Sequence, residues 1–239
     1  MGLRKHIPNS ITLMNLLCGV LGVICAIQGR PDLAFPLMLA AAVFDFCDGL
    51  AARLLKAYSP IGKELDSLAD MVSFGVLPAL MLLSCAHARG VAAIPACLTL
   101  FLALMSGLRL AKFNVDERQG SDFIGVATPT AAMLCGSLTY FVHVQPGTPL
   151  DALCGSVWFL PAVAVVLGLL LVSEIPMFGM KVAPGHKLLD AKRTVFLCLS
   201  VTAVVLTAVL RLNWSLAVLL IFSVYLLENL ILWVANAGK

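Results

Sequence analysis

Long apolar runs separated by short polar segments dominate the chain, and this pattern predicts membrane-crossing helices. A helix needs about 20 consecutive apolar residues to cross a bilayer. Runs of this kind lie at about 11–28, 34–55, 66–86, 91–111, 124–145, 156–173, 193–210 and 213–235. The last two runs are joined at Arg211-Leu212-Asn213, which predicts a tight helical hairpin. We therefore predict an all-α, polytopic membrane helix bundle with about eight transmembrane helices.

The Lys and Arg residues indicate how this bundle is oriented, because they are enriched in cytoplasmic loops. If the N-terminus lies in the cytoplasm, all Lys and Arg residues except Arg30, Arg89 and Arg211 fall on the cytoplasmic side. We therefore expect both termini to be cytoplasmic. The chain is predicted to be a multi-pass protein of the cytoplasmic (inner) membrane.

Composition supports a membrane protein. The chain is 61% hydrophobic and 12% charged, whereas about 25% of residues are charged in soluble domains. The eight cysteines are scattered among apolar segments and form no CxxC pair. They are expected to be free, buried thiols rather than a disulfide framework. No nucleic acid is expected among the partners.

Four carboxylates interrupt the second and third predicted helices at fixed spacings. Asp45 and Asp48 are three residues apart and Asp66 and Asp70 are four apart, so each pair shares one helix face. A turn at about 56–62 would make the two helices antiparallel neighbours, with the pairs facing each other across one cleft. A carboxylate at membrane depth costs roughly 2.5–3.5 kcal/mol by insertion scales. Because hard divalent cations prefer carboxylate oxygens, we predict that the four aspartates hold Mg²⁺ or Mn²⁺, with two ions per site.

The residues between these carboxylates suit a phosphate-bearing ligand. Gly49, Ala52 and Gly62 remove side-chain bulk, and Arg53 adds a positive charge. Two metals held by carboxylates are a recurring device for phosphoryl transfer, in which an Asp can accept the proton of the attacking hydroxyl. A divalent-cation transporter is the alternative from another class, because transporters also line cavities with carboxylates.

The complete pattern, Asp-x2-Asp-Gly-x2-Ala-Arg-x8-Gly-x3-Asp-x3-Asp, resembles the motif of the CDP-alcohol phosphotransferase family at every specified position. The resemblance implies a membrane enzyme that transfers a phosphatidyl or phospho-alcohol group from a CDP-linked donor to an alcohol and releases CMP. It implies that the four metal ligands are Asp45, Asp48, Asp66 and Asp70, and that the last of them, Asp70, is also the general base. It implies that the contacts to the nucleotide and its diphosphate are made by Gly49, Ala52, Arg53 and Gly62. Thr12 and Asn15 share one face of the first helix, where they could reach the nucleotide or bond across helices.

Other segments are similar to bacterial and archaeal phosphatidylserine synthases of this family, namely 8–19, 109–114, 123–132 and 173–177. The residues after Phe123-Ile124-Gly125 usually read Leu-Pro-x-Pro in those synthases, and here only the second proline, Pro129, is kept. The similarity implies CDP-diacylglycerol as the donor and L-serine as the acceptor, with direct attack of the serine hydroxyl. Glycerol-3-phosphate and inositol phosphate remain alternative acceptors in the same family.

Free serine carries a carboxylate, and the predicted cytoplasmic end of helix four supplies polar groups that could bind it: Arg109, Lys112, Asn114 and Arg118. The basic residues among them also fit the ordinary cytoplasmic enrichment of Lys and Arg. The active site is expected to face the cytoplasm. Residues 1–239 are expected to form a single integral membrane domain, with a catalytic core at about 1–175 and a C-terminal helix hairpin at about 190–239. The resemblance also implies a homodimer surrounded by membrane lipid.

Overall fold

The computed structural model describes residues 6–116, 123–177 and 191–237. Its α-helices in chain order are α1 (His6–Ile27), α2 (Pro31–Leu54), α3 (Pro60–Asp70), α4 (Leu77–Ala88), α5 (Ala93–Cys97), α6 (Phe101–Val115), α7 (Thr128–Val144), α8 (Pro149–Cys154), α9 (Phe159–Val172), α10 (Ala191–Val209) and α11 (Trp214–Ala237). A π-helical turn (Met71–Val76) joins α3 to α4, and a short 3₁₀ segment (Leu98–Leu100) joins α5 to α6. Two strands complete the set, β1 (Phe123–Ile124) and β2 (Pro176–Met177).

The predicted fold class is confirmed in its coarse form, because the described chain is nearly all helical. Five of these helices are long and apolar enough to cross a membrane: His6–Ile27, Pro31–Leu54, Pro60–Ala88, Ala93–Val115 and Trp214–Ala235. Each of the eight predicted segments contains a helix, but the count of eight crossings and the orientation of the termini stay predictions. At the predicted hairpin, α10 ends at Val209, α11 begins at Trp214, and the two helices pack against each other.

The third predicted span begins six residues earlier than its apolar run. Ser59 caps the first turn of α3, because its hydroxyl oxygen accepts a hydrogen bond from the Gly62 backbone N–H at 3.1 Å. Pro60 follows at the first helical position, where its missing N–H costs nothing. The helix therefore extends beyond the apolar run, and Asp66 lies inside it rather than at its start.

The π-helical turn lies directly after Asp70 and is tightly packed. Ser73, Phe74 and Gly75 are buried within it. A Cβ on Gly19 of α1 would overlap the Ser73 hydroxyl, and a Cβ on Gly75 would lie 3.0 Å from the Ser106 Cβ of α6. Small residues thus let α1 and α6 approach this turn closely on two sides, as is usual where membrane helices pack.

Helix α1 packs along α2 and also contacts α3 and α4, so it bridges the two helices that carry the aspartates. One apolar cluster joins α4, α6, α7 and α9, and a second joins α1, α2, α4 and α7. The hairpin of α10 and α11 contacts this body through α7. The aspartate-bearing helices are therefore held from several sides.

The two short strands depart from the purely helical expectation. β1 and β2 pair antiparallel, with Phe123 opposite Met177 and Ile124 opposite Pro176. The next residue, Gly125, has φ +73°, and a Cβ there would lie 2.8 Å from the backbone carbonyl oxygens of Leu171 and Ser173. Both the conformation and the space therefore require glycine. This junction fixes the start of α7 against the end of α9, beside α6.

Candidate active site

The structure brings the four aspartates of the motif together, although they come from two helices. Carboxylate oxygens of Asp45, Asp48 and Asp66 lie within 4.8 Å of one another. The Asp70 carboxyl interacts electrostatically with the other three. The spacing argument from the sequence therefore gives the observed juxtaposition, because each Asp pair lies on the helix face that its spacing predicts.

The cluster has the donor chemistry of a divalent-cation site. Asp48 is 6% exposed, and its Oδ2 atom is buried without a hydrogen-bond partner, as is Oδ1 of Asp66. Among the described residues the Arg30–Asp32 and Arg89–Asp151 ion pairs lie outside the cluster, and no ion pair to a cluster carboxylate is found. Crowded, half-buried carboxylates that form no ion pair are stabilised by a bound cation. Their oxygen-only donor set suits Mg²⁺, Mn²⁺ or Ca²⁺.

Helix α1 supplies the polar groups that face this cluster. Asn15 is fully buried, and its Nδ2 donates a hydrogen bond to Oδ1 of Asp70 at 3.4 Å. The Ser73 hydroxyl donates to the backbone oxygen of Asn15 at 3.2 Å, which ties α1 to the π-helical turn. The Thr12 hydroxyl donates to the Pro8 carbonyl at 3.1 Å and also lies beside the Asp48 carboxyl. Thr12 and Asn15 thus both contact the acidic centre, and Asn15 holds Asp70.

A cavity of about 220 Å³ opens beside the cluster, between α1 and the connection from α2 to α3. Motif residues form much of its wall. The lining residues are Pro8, Asn9, Thr12, Asp48, Gly49, Ala52, Ala57, Tyr58, Ser59, Gly62, Lys63 and Asp66. We call it the donor cavity.

The small residues of the motif keep the donor cavity open. A Cβ on Gly62 would lie 2.9 Å from the Ser59 hydroxyl and 3.0 Å from Oδ1 of Asn9. Asn9, Tyr58 and Lys63 were not predicted as site residues, because polar residues near helix ends are common and only the fold brings these three together. Arg53 is exposed, does not line the cavity, and donates from Nε to the Gly49 carbonyl at 2.9 Å.

A second cavity of about 310 Å³ lies between α6 and the end of α9. Its wall carries charges of both signs. The lining residues are Arg109, Lys112, Phe113, Val115, Asp116, Ile124, Leu171, Val172, Ser173 and Glu174. We call it the acceptor cavity. The β1–β2 junction builds one of its walls, because Ile124 and the residues after Leu171 belong to it.

Arg109 connects the acceptor cavity to the aspartates. It is only 9% exposed, and its Nη1 donates to the Thr128 hydroxyl at 3.1 Å. Its guanidinium carbon lies 5.3 Å from the centre of the Phe113 ring, and its charge interacts with Asp70. A guanidinium fixed in this way is preorganised to bind an anion near Asp70.

The other residues predicted to contact serine lie in different places. Lys112 lines the acceptor cavity. Asn114 does not line it; its Nδ2 donates to the Ser67 hydroxyl at 2.9 Å, and its backbone oxygen accepts from Lys63 Nζ at 3.0 Å. These two bonds tie α6 to α3. Arg118 lies outside the described residues.

Fold and site together define a helical membrane protein whose carboxylate centre lines the donor cavity and is linked to the acceptor cavity through Arg109. The chain belongs to the CDP-alcohol phosphatidyltransferase family, whose model matches residues 5–172. That match includes all four aspartates and Arg109 and ends within the wall of the acceptor cavity.

The chain is also similar to proteins of known name. It is 34% identical over 179 residues to the CDP-diacylglycerol–serine O-phosphatidyltransferase of Mycobacterium bovis, covering 72% of this chain and 60% of that protein. It is 37% identical over 137 residues to the Bacillus subtilis protein of the same name, covering 57% of this chain and 76% of that protein. An archaetidylserine synthase of Methanothermobacter thermautotrophicus is 35% identical over 134 residues, covering 55% of this chain and 56% of that protein. The chain thus spans about 60% of the length of the mycobacterial relatives that it matches.

Proposed function

We propose that this chain transfers the phosphatidyl group of CDP-diacylglycerol to the hydroxyl of L-serine and releases CMP. One observation carries the proposal: the motif aspartates converge beside a small-residue cavity, and Arg109, whose charge interacts with Asp70, lines a second cavity of mixed charge. Membership of the family supports the reaction class, and the names of the relatives support serine as the acceptor.

The donor would lie in the donor cavity with its diphosphate at the aspartates. Asp45, Asp48, Asp66 and Asp70 would hold two Mg²⁺ or Mn²⁺ ions, which neutralise the diphosphate and stabilise the negative charge on the CMP leaving group. Gly49, Ala52 and Gly62 admit the nucleotide without a steric clash. The Nε of Arg53 donates to the Gly49 carbonyl, and we propose that the remaining N–H groups of its guanidinium reach a phosphate oxygen. The acyl chains would stay in lipid.

The acceptor would lie in the acceptor cavity. Serine is a zwitterion, and the cavity wall offers Arg109 and Lys112 for its carboxylate and Glu174 for its ammonium group. Asp70 would accept the proton of the serine hydroxyl, whose oxygen then attacks the phosphorus that bears the diacylglycerol. Asn15 orients Asp70 through the Nδ2 hydrogen bond. The transfer is direct, in a complex that holds both substrates.

The membrane arrangement belongs to the same proposal. Serine is water-soluble, so the acceptor cavity must open to the aqueous phase. The distribution of Lys and Arg supports a cytoplasmic opening in the inner membrane, with both termini in the cytoplasm. We also propose eight crossings and a homodimer surrounded by lipid, as the family resemblance implies.

The decisive experiment measures CMP release by the purified full-length protein in mixed micelles containing CDP-diacylglycerol. Labelled serine should yield labelled phosphatidylserine, and glycerol-3-phosphate or inositol phosphate should yield no product. Asp70→Asn should abolish CMP release, because the amide cannot accept the hydroxyl proton, while the variant elutes as the folded protein and still binds CDP-diacylglycerol. Asp32→Asn serves as the matched control, because it makes the same Asp-to-Asn change on α2 but outside the cluster.

Three results would refute the proposal in different ways. Product formed only with another alcohol would exclude serine as the acceptor. Full turnover by Asp70→Asn would exclude this residue as the base. Cation flux into proteoliposomes without CDP-diacylglycerol, together with no CMP release, would favour a divalent-cation transporter.

A further inference from the structure

A second cluster of reactive side chains lies at the far end of the helix that carries Asp66 and Asp70. Cys85 follows Asp70 by 15 residues on one continuous helical span, which places it roughly 22 Å further along the axis. The cluster is therefore separate from both cavities of the proposed active site. Its members come from the ends of α4 and α8, and the proposed reaction uses none of them.

Two thiols meet in this cluster. Cys85 is 7% exposed, Cys154 is fully buried, both belong to one buried cluster, and the two thiols interact with each other. Both are free cysteines. Their approach cannot be read from the sequence, because 69 residues separate them and no CxxC spacing marks them. The expectation that the cysteines act only as small apolar side chains does not account for a paired arrangement.

Arg89 holds the two helices together at this point. Its Nη1 donates to the Cys85 sulfur at 3.0 Å, and its Nη2 and Nε donate to Oδ1 of Asp151 at 2.6 and 2.9 Å. Asp151 precedes Cys154 by three residues, so both lie on one face of α8. The guanidinium thus fixes α8 on α4 and places a permanent positive charge on the Cys85 sulfur. Such a charge stabilises the negative charge that develops on a reacting cysteine sulfur.

The two thiols differ in access. Cys85 and Arg89 line a cavity of about 40 Å³, together with Ser84, Ala88 and His143. Cys154 does not line it. This volume admits a molecule of the size of water or hydrogen peroxide, but no protein oxidant. Cys85 is therefore the thiol that a small oxidant reaches, whereas Cys154 is fully buried and lines no part of this cavity.

We propose that Cys85 and Cys154 are a redox pair that hydrogen peroxide converts into a disulfide between α4 and α8. The Cys85 thiolate attacks one peroxide oxygen, the O–O bond breaks, and the departing hydroxide takes up the proton that Cys85 released. The resulting sulfenic acid is attacked by the Cys154 sulfur; the S–O bond breaks and the hydroxide leaves with the Cys154 proton as water. Two thiols and one peroxide thus give one disulfide and two waters, and the sulfurs supply two electrons.

The test uses the full-length protein in detergent micelles, treated with hydrogen peroxide and then denatured and alkylated. Peptide mass spectrometry should find one cross-link, between the peptides of Cys85 and Cys154. In Cys154→Ser the Cys85 sulfenic acid should persist and react with dimedone, which marks Cys85 as the attacked thiol. Cys135→Ser is the matched control, because Cys135 is also fully buried but lies on α7 rather than on α4 or α8, and its cross-link yield should equal that of the wild type.

The role of Arg89 is tested by the rate. Arg89→Gln should form the same cross-link about tenfold more slowly, because the positive charge that stabilises the reacting Cys85 sulfur is lost. Cys85 and Cys154 both recovered as free thiols from folded, peroxide-treated protein would overturn the proposal. Cross-links from either thiol to another cysteine would overturn it as well. An unchanged rate in folded Arg89→Gln would remove the activating role of the guanidinium.

Discussion

Replacing Gly125 by Ala tests whether the β1–β2 junction builds the acceptor cavity, because the added methyl group would press on the wall of that cavity. This replacement has two costs. A residue other than glycine at φ +73° costs roughly 1–2 kcal/mol. The added Cβ would also lie 2.8 Å from two backbone carbonyl oxygens, of Leu171 and Ser173, which cannot rotate away as a side chain can. Overpacking of this kind costs about 1–3 kcal/mol.

Gly147 isolates the second cost. It has φ +79°, but a Cβ there would meet no atom within 4 Å. Gly147→Ala should therefore carry only the conformational strain, and Gly125→Ala should lose about 1–3 kcal/mol more. For a chain of this size 1 kcal/mol shifts the thermal midpoint by about 2–4 °C. The midpoint of Gly125→Ala should therefore lie about 2–12 °C below that of Gly147→Ala.

The assay has a functional arm, because the carbonyls that Gly125 contacts belong to the wall of the acceptor cavity. Movement of that wall should raise the KM for serine in Gly125→Ala, while the KM for CDP-diacylglycerol stays close to that of the wild type. Gly147→Ala should leave both values unchanged. Equal thermal midpoints for the two variants, or an unchanged KM for serine in Gly125→Ala, would refute the reasoning that this junction builds the acceptor site.

Three further predictions concern charge, capping and metal. The Gly147 backbone N–H and the Arg89 guanidinium lower the pKa of Asp151, so its stabilising contribution is complete above its ordinary pKa of about 3.9 and disappears as the pH falls through the lowered value. The thermal midpoint of Asp151→Asn should therefore lie below that of the wild type at neutral pH, and the difference should vanish in acid. A difference that does not depend on pH would contradict this. Ser59→Ala removes the cap of α3 and should cost about 1 kcal/mol in thermal denaturation, with recovery in Ser59→Thr; equal losses in both variants would argue against the capping bond. At a hundredfold excess over Kd, Mg²⁺ or Mn²⁺ should increase the free energy of unfolding of the wild type by about 2.7 kcal/mol and so raise its thermal midpoint, and EDTA should reverse the rise. An identical rise in Asp48→Asn would exclude the aspartate cluster as the metal site.

The sequence alone predicts those features that depend on periodicity and spacing along one helix. The apolar runs locate the helices, because lipid requires long apolar segments whose backbone polar groups are satisfied internally. The separations of Asp45 from Asp48 and of Asp66 from Asp70 predict the faces that the structure brings together. The N-terminal extension of α3 escapes this reasoning because its first turn is polar, and the capping bond of Ser59 rather than hydrophobicity sets its start.

Features that depend on contacts between distant segments are not predictable in this way. Asn114 is a plausible serine ligand in the sequence, yet the fold directs its side chain to Ser67. Glu174 reaches the wall of the acceptor cavity only because β1 pairs with β2, and two-residue strands leave no pattern in the sequence. The contact between Cys85 and Cys154 likewise needs α8 to fold back onto α4.

The π-helical turn at Met71–Val76 has a consequence for how this span tolerates change. One extra residue within a helix offsets everything beyond it by about 100° of rotation. The half of the span before the turn can therefore direct acidic groups towards α1 and α2, while the half after it directs apolar side chains towards α7. The two halves therefore present different faces to their neighbours although they form one span. Deleting a single residue at the turn would rotate the apolar half away from the helices that it packs against, even though no substrate-binding group had been altered.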